Sequence, residues 1–342
     1  NIYIVIFTNT RVIKTYKVDA LTKEIINQIK LGTILEENVI KRAEKAGFAK
    51  EQAKSRINAL KNEGIVYSIK KPRFSRQYIE RFKRQLMFLS ELATSEEQVY
   101  NMQKRLKNSI VTVFGIGGIG TWIVNGLAQI GIGEIRIVDP DIIQRSNLNR
   151  QLFFTSKDIG KYKVDIIKLR LPDSKIKVYK QIIKQDNNLT RIIRGSDFVV
   201  NCADNPSIQE TTRILAGYCA KLKIPYSIAG GYNMHLGMLG PIIVPGETAC
   251  FDCFLEYQKE NDELSKFQKI KDIEQTGSLA PIAGMVANFH VMEIFKYLIG
   301  RGSINKNKFA ELNFMDFGIE WRNFKKRQNC PTCGGQNGMG SD

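Results

Sequence analysis

The sequence contains only two histidines, His235 and His290, and each lies in an apolar sequence context. Both are expected to be structural, which argues against catalysis built on histidine acid–base chemistry. Acidic residues are also scarce, with 34 against 51 lysines and arginines, so the net charge is +17. A basic surface attracts nucleic acids, nucleotide triphosphates and acidic peptides alike, so the charge alone does not select a partner.

The sequence lacks a long uninterrupted hydrophobic run. The apolar run Ile2–Phe7 is too short for a signal peptide and has no basic flank, although Asn1 is not a natural start. The stretch 281–300 is interrupted by His290, Glu293 and Lys296, which predict a wet helical face and no membrane span. We therefore expect a soluble cytoplasmic protein, with one large core and a small appended domain.

Residues 1–70 are predicted to form a separate module in the order of a winged helix. The segments are a hairpin from 2–8 and 11–18 joined at Asn9–Thr10, helices at 21–31, 35–46 and 50–63, and a short strand at 65–69. Such a module binds DNA when its third helix, here with Lys54, Arg56 and Lys61, enters a groove. It binds a peptide when the edge of the hairpin accepts an extended strand. Both alternatives stay open.

Residues 71–342 are predicted to form a second domain of the α/β class. A basic linker at 70–76 leads into an amphipathic helix that carries Ile79, Phe82, Leu86 and Leu89. Strands and helices then alternate: strand 110–114, helix 121–130, strand 134–138, helix 163–171, strand 198–201, helix 208–222 and strand 225–229. This order predicts a Rossmann-like, mostly parallel sheet with helices on both faces.

The segment 255–276 is highly charged and poorly patterned. It is predicted to be a mobile loop or a partly ordered crossover near the substrate. A plain solvent-facing helix is the alternative for its first half.

A glycine turn follows the first strand of this domain. Gly115, Gly117, Gly118 and Gly120 lie between that strand and a helix, where backbone N–H groups can approach phosphate. Asp139 closes the second strand, where a carboxylate can accept hydrogen bonds from a ribose; a simple strand-end acid is the alternative. These residues predict a nucleotide site.

Further polar residues suit a triphosphate better than a redox dinucleotide. Asn147, Arg150 and Gln151 follow Asp139 closely, and Lys163 begins the next helix. The two cations could neutralise phosphate oxygens, although either alone could be a surface charge. Asp204 follows the strand 198–201 and could hold magnesium against phosphate, or cap the next helix.

Two Cys-x-x-Cys pairs, Cys250–Cys253 and Cys330–Cys333, have the spacing that lets four thiolates bind one tetrahedral ion. They predict a structural zinc that fixes the C-terminal end to the body of the fold. Cys202 and Cys219 lie in apolar surroundings and are predicted to be core residues rather than nucleophiles.

Together these motifs resemble the ubiquitin-activating superfamily that includes the bacterial ThiF and MoeB proteins. The resemblance covers about residues 71–335. It rests on the glycine turn 115–120, Asp139, the stretch 146–151, Gly160–Lys163, the stretch 203–205 and the two cysteine pairs. By this resemblance the nucleotide is bound by Gly115, Gly117, Gly118, Gly120, Asp139, Ser146, Asn147, Asn149, Arg150, Gln151, Lys163, Asp204 and Asn205.

The same resemblance implies the catalytic set Asp204, Arg150, Lys163 and Arg76, with Mg²⁺ at Asp204. The stretch 74–77 is similar to the family element whose arginine, here Arg76, reaches the nucleotide of the other subunit in a homodimer. The length and the small N-terminal module are most similar to the MccB branch, whose members modify the C-terminal asparagine of a ribosomal peptide in microcin C biosynthesis. Residues 255–280 contain no cysteine for a thioester, as in that branch.

The resemblance therefore implies a peptide nucleotidyltransferase with ATP or CTP as co-substrate, acting through an acyl-nucleotide and a succinimide to give a phosphoramidate. Nucleic acid is not expected as a partner of such an enzyme. One alternative is an adenylating enzyme for a ubiquitin-like sulfur-carrier protein. A second is a winged-helix DNA-binding regulator with a nucleotide-sensing domain. An NAD-dependent dehydrogenase is the least favoured alternative, because the sequence shows no acid–base pair for hydride transfer.

Overall fold

A computed structural model of the protein describes residues 2–7, 12–30, 35–66, 74–185, 188–229, 231–261 and 277–334. The chain divides into two units, Asn1–Lys104 and Arg105–Asp342. The predicted domain boundary between residues 70 and 71 falls outside the described residues, as do the predicted turn Asn9–Thr10 and most of the predicted strand 65–69. These three features stay predictions.

The first unit begins with the predicted hairpin. Strand β1 (Ile2–Phe7) pairs antiparallel with β2 (Val12–Lys17), from Ile2 opposite Lys17 to Phe7 opposite Val12. Three helices follow, α1 (Ala20–Ile29), α2 (Glu36–Lys45) and α3 (Lys50–Asn62). The side chain of Asp19 caps α1 by accepting a hydrogen bond from the Thr22 N–H at 2.8 Å. The apolar face of each helix is buried in one shared core.

Two further helices follow, α4 (Arg76–Ser90) and α5 (Glu96–Asn108). The amphipathic pattern predicted α4, and Phe82 and Leu89 are its buried positions. Helix α5 was not predicted, and the division between the two units falls within it.

The second unit is built on a six-stranded sheet. Its strands are β3 (Ile110–Phe114), β4 (Glu134–Val138), β5 (Ile176–Tyr179), β6 (Phe198–Asn201), β7 (Tyr226–Ile228) and β10 (Ile242–Ile243). Their order is β10-β7-β6-β3-β4-β5, and every pair is parallel except β10 with β7. The connecting helices are α6 (Gly118–Gln129), α7 (Lys163–Arg170), α8 (Thr190–Ile193) and α9 (Ile208–Leu222). The predicted mainly parallel α/β fold is confirmed.

The connections of this sheet change direction beside β3. From β3 the chain proceeds to β4 and β5 on one side, and then returns to β6 and β7 on the other side. The loops after β3 and β6 therefore diverge at the carboxyl edge of the sheet. This topological switch point is where open α/β sheets bind ligands, and both the glycine turn and Asp204 lie there.

A second, antiparallel sheet was not predicted. Its strands are β8 (Tyr232–Asn233), β9 (Leu236–Leu239), β11 (Lys308–Asn313) and β12 (Gly318–Asn323), in the order β12-β11-β9-β8. Between β10 and β11, the described residues form two helices, α10 (Phe251–Glu260) and α11 (Ala280–Ile299). Residues 255–260 of the predicted loop are thus helical, but Leu255 and Tyr257 pack against the core, so this is not the plain solvent-facing helix of the alternative. Residues 262–276 lie outside the described residues.

The prediction that His290, Glu293 and Lys296 form a solvent-exposed face of α11 is wrong. His290 is buried, Glu293 accepts a hydrogen bond from the Asn305 N–H at 2.7 Å, and Lys296 pairs with Glu293. Glu293 and Lys296 thus have partners within the fold, whereas the buried Nε2 of His290 has none among the described residues. The exposed side of the helix carries large apolar side chains. In the described part of the chain, α11 is the one helix apolar and long enough to cross a membrane, but 56% of its most apolar window is buried and it packs against α6.

Candidate active site

The glycine turn brings the loops after β3 and β6 into contact. Gly115 has a φ of +81°, a conformation that favours glycine, and a Cβ there would lie 2.5 Å from the backbone nitrogen of Ala203. A Cβ on Gly120 would overlap the carbonyl oxygen of Gly115. Both positions require glycine because backbone meets backbone. Asp204 therefore follows directly on a residue that touches the glycine turn.

The start of α6 is open. Its N-cap, Gly117, has no side chain to accept a hydrogen bond from the first turn, and a Cβ at Gly117 would meet nothing within 4 Å. The space beside Gly118 is flanked by the Arg150 side chain and by the Tyr232 hydroxyl. Uncapped N–H groups, a helix dipole and a nearby guanidinium make this end of α6 suited to an anion.

Asp139 lies behind the glycine turn. Its Oδ2 accepts a hydrogen bond from the Ile116 N–H at 2.6 Å, and its Oδ1 accepts one from the Asp141 N–H at 2.8 Å. Burial raises the pKa of this carboxyl, and the positive charge of Lys163 acts in the opposite direction. Asp139 thus fixes the shape of the turn, and its contact with a ribose stays a prediction.

Lys163 lies beside Asp139 and Asp141. Its side chain is buried, and Nζ is 2.8 Å from Oδ2 of Asp141, which is largely exposed. The Lys163 N–H also donates to the Asp141 carbonyl at 3.0 Å. The predicted cation is therefore held near Asp139 by a neighbour that the sequence did not single out.

The segment 146–151 is folded onto the first turns of α6. The Arg150 guanidinium donates to the Ser146 carbonyl at 2.6 Å and to Oδ1 of Asn149 at 3.2 Å, and Asn147 Oδ1 accepts from the Gln144 N–H at 2.9 Å. Trp122 Nε1 donates to the Arg150 carbonyl at 3.2 Å. These contacts place Arg150 beside Gly118.

Gln151 is the least satisfied of these residues. It is buried, yet its Oε1 has no hydrogen-bond partner within the described residues. The next residue, Leu152, donates its N–H to Thr121 Oγ1 on α6 at 3.1 Å. A buried amide without a partner costs free energy unless a ligand or water completes it, so its position beside α6 suits ligand contact.

Asp204 and Asn205 are exposed at the carboxyl end of β6. The loop is shaped by Asn201, which sequence reasoning missed: its Nδ2 donates to Oγ1 of Thr211 and of Thr212, and its Oδ1 accepts from the Ala203 N–H at 3.0 Å. Ser207 caps α9 by accepting from the Glu210 N–H at 3.1 Å. The alternative role of Asp204 as that helix's cap is therefore not observed, and its carboxylate is available for a cation.

The two cysteines outside the pairs are poor nucleophiles, as predicted. Cys219 is fully buried in the core, and burial raises the pKa of its thiol. Burial and the negative charge of Asp204 likewise raise the pKa of Cys202. Both shifts disfavour the thiolate, which is the nucleophilic form of cysteine.

The four paired cysteines converge on one point. Their Sγ atoms lie within 4.8 Å of one another, with 3.9 Å between Cys250 and Cys253, 3.5 Å between Cys250 and Cys330, and 3.4 Å between Cys253 and Cys333. Sulfur ligands of a tetrahedral zinc ion are separated by about 3.8 Å. The cluster therefore fits zinc in size and in chemistry.

Arg76 belongs to the first unit. It is the first residue of α4, follows the capping residue Ser75, and has an exposed side chain. Phe74 stacks on Tyr78 with ring centroids 4.7 Å apart, which fixes the start of the helix. Its predicted role in a partner's site stays a prediction.

Comparisons with known proteins agree with this geometry. Residues 82–335 match the ThiF family. The chain is 28% identical to the sulfur carrier protein ThiS adenylyltransferase of Escherichia coli K12 over 75% of this chain and 96% of that protein.

Two crystal structures of E. coli MccB share the fold. The structure with ATP has a TM-score of 0.67 at 22% identity, over 97% of this chain and 98% of that one. The structure with MccA-N7isoASN has a TM-score of 0.69 at 21% identity, over 98% of each. With a family match over most of its length and a nucleotide-type site at the switch point of its sheet, the chain belongs to the ThiF family.

Proposed function

We propose that the protein uses ATP or CTP to activate the C-terminal carboxylate of a ribosomally made peptide that ends in asparagine, giving a phosphoramidate-linked nucleotidyl peptide of the microcin C type. One observation carries the proposal. The ThiF family match begins at residue 82, whereas the fold shared with MccB extends over 97% of the chain and so includes the hairpin and helices before it. An added N-terminal unit is what a peptide-modifying member of the family would need.

In the proposed first step, a carboxylate oxygen of the peptide attacks the α-phosphorus of the nucleotide. An O–P bond forms, the bond from phosphorus to the bridging oxygen breaks, and pyrophosphate leaves with the electron pair. The open start of α6, with Arg150 and Lys163, would offset the crowded negative charge. Asp204 would hold Mg²⁺, which neutralises charge on the triphosphate when bound.

In the proposed second step, the amide nitrogen of the terminal asparagine attacks its own activated carbonyl carbon. The nucleoside monophosphate leaves, and a succinimide forms. The succinimide nitrogen, after losing its proton, attacks the α-phosphorus of a second nucleotide. A P–N bond forms and a second pyrophosphate leaves. Water then opens the succinimide ring and restores one carboxylate, so the peptide gains one nucleotidyl group.

The ion pairs of α3 favour peptide over DNA as the partner of the first unit. Arg56 is 2.5 Å from Asp19, Lys54 is 3.0 Å from Glu51, and Lys61 is 2.7 Å from Glu36. The three cations that would face a groove thus already have carboxylate partners. DNA binding that disappears at moderate salt without sequence preference would be simple polyelectrolyte attraction.

We also propose that the enzyme is a cytoplasmic homodimer in which Arg76 reaches the partner's nucleotide. The exposed side of α11 carries Met285, Phe289 and Met292, and the edge strand β12 exposes Ile319 and Trp321. Large apolar side chains at helical and strand spacing on a surface mark an interaction site. A second copy of the chain is the partner we propose for them. The cysteine cluster is proposed to hold one structural zinc per chain.

The test uses labelled ATP or CTP with a synthetic heptapeptide ending in asparagine. We expect pyrophosphate and a peptide heavier by one nucleotidyl group. A peptide with an amidated C-terminus should give neither, because it lacks the attacking carboxylate. A peptide ending in alanine should release pyrophosphate once without forming the P–N bond, because it has no side-chain amide.

A second function is favoured by the sequence match to ThiS adenylyltransferase. In that case the acceptor is a ubiquitin-like sulfur-carrier protein, and the missing cysteine in 255–280 is no obstacle if sulfur is transferred from the acyl-adenylate itself. Pyrophosphate exchange with every peptide but no stable adduct, together with an adenylate on a carrier protein, would establish this alternative.

A further inference from the structure

Tyr232 lies on the short strand β8 of the antiparallel sheet, yet its side chain reaches the nucleotide-type site of the parallel sheet. A Cβ atom built on Gly118 would be 2.5 Å from Tyr232 Oη and 3.7 Å from Arg150 Cδ. The phenol therefore occupies the space that a side chain at Gly118 would take. It brings a neutral hydroxyl donor to the same point as the Arg150 side chain, at the first residue of α6.

The backbone holds this tyrosine firmly. Tyr232 pairs with Gly237 of β9, and the Met238 N–H donates to the Gly231 carbonyl at 2.9 Å. Gly237 is itself packed, since a Cβ there would meet Phe314 and Val286. A side chain carried by a packed sheet is more precisely placed than one on a loop.

The surroundings of this hydroxyl suit an anion. Gly117 leaves the first turn of α6 without a side-chain cap, so the backbone N–H groups there have no side-chain acceptor. The Arg150 side chain lies beside the same turn, with Cδ 3.7 Å from the position of a Cβ on Gly118. Backbone N–H donors, a guanidinium side chain and a hydroxyl thus lie together at the start of α6.

We propose that Tyr232 is a phosphate-binding residue, whose hydroxyl donates a hydrogen bond to a phosphate oxygen of the nucleotide held at the start of α6. The proposal rests on the proposed nucleotide-dependent function and adds a residue to its site. The phenol keeps its proton throughout; only a hydrogen bond is made. Arg150 provides a positive charge near the phosphate, and the Tyr232 hydroxyl provides a directional hydrogen bond.

The experiment compares wild type with Tyr232→Phe by calorimetric titration with ATP and with adenosine, in the absence of any peptide. We expect the affinity for ATP to fall about 10-fold, because a hydrogen bond to a charged oxygen is lost. The affinity for adenosine, which has no phosphate, should stay unchanged. Tyr257→Phe is the matched control, because that ring packs against Phe309 and Phe324 and should leave ATP binding intact.

The outcomes separate this proposal from the proposed function. ATP binding that is retained in Tyr232→Phe would remove the role of Tyr232 and leave the function standing. Equal losses for ATP and adenosine would mean that the phenol shapes the pocket without holding phosphate, which also overturns the proposal. If wild type binds no ATP, the titrations are repeated with CTP and cytidine, and a wild-type protein that binds neither triphosphate would remove the proposed function itself. An unchanged melting temperature confirms that Tyr232→Phe is folded.

Discussion

At the scale of single residues, Asp204 offers the clearest separation of function from stability. Its carboxylate is exposed at the switch point and is not used to cap α9. We therefore predict that Asp204→Ala lowers pyrophosphate release about 100-fold or more, since charge on the leaving group is no longer neutralised through bound metal. The melting temperature and zinc content should match wild type. Glu210→Ala, which removes another exposed carboxylate from the next helix, is the control; activity retained in Asp204→Ala would assign the magnesium to another group.

Residues whose roles depend on local sequence were predictable, and residues recruited from elsewhere were not. The roles of Gly115 and Gly120 were predicted because the strand, the tight turn and the helix around them follow one another directly in the sequence. Tyr232 was missed because it reaches Gly118 from a different sheet, more than a hundred residues along the chain. Asn201 left a detectable signal, since it is the single polar residue that ends an apolar strand.

At the scale of elements, the cysteine cluster joins the start of α10 to the C-terminal turn, with paired thiols 80 residues apart. We predict that Cys250→Ser combined with Cys330→Ser abolishes zinc binding and lowers the melting temperature, because metal binding to a site absent from the unfolded chain stabilises the fold. Zinc should be measured by elemental analysis beside the thermal transition. Cys202→Ala should keep one zinc per chain. A full complement of zinc in the double variant would show that the cysteines are not its ligands.

The pattern of elements was recoverable where burial is regular. The strand at 110–114 is almost continuously apolar and buried along almost all of its length. In the strand at 134–138, apolar residues are interleaved with Glu134 and Arg136, which are buried as an ion pair. Strands β8 and β10 are two residues long, which is too short for a periodic pattern, and the apolar–polar alternation over 319–322 in β12 was not recognised. The prediction of a solvent-exposed face on α11 failed because Glu293 and Lys296 are held within the fold, by a hydrogen bond from the Asn305 N–H to Glu293 and by the ion pair between the two side chains.

At the scale of the whole molecule, the chain combines a family domain with an N-terminal segment, residues 1–81, that the family match leaves out. Residues 82–335 carry the nucleotide-type site and the cysteines, while the hairpin and α1–α3 precede them. Arg76 lies in the same unit as the hairpin. If the unit that binds the peptide also carries a residue that acts on the partner's nucleotide, then binding at one subunit is linked to chemistry at the other.

This link can be tested by complementation between two inactive chains. In a homodimer with Arg76 acting across subunits, an Arg76→Ala chain paired with an Arg150→Ala chain forms one site with both arginines intact. We predict that each variant alone is inactive, and that their random mixture recovers about a quarter of wild-type activity, because half of the dimers are mixed and each has one intact site. Arg150→Ala mixed with Lys163→Ala is the control, since both residues serve their own subunit's site and no mixed dimer is complete. No recovery in the first mixture would place Arg76 in its own subunit's site or outside any site.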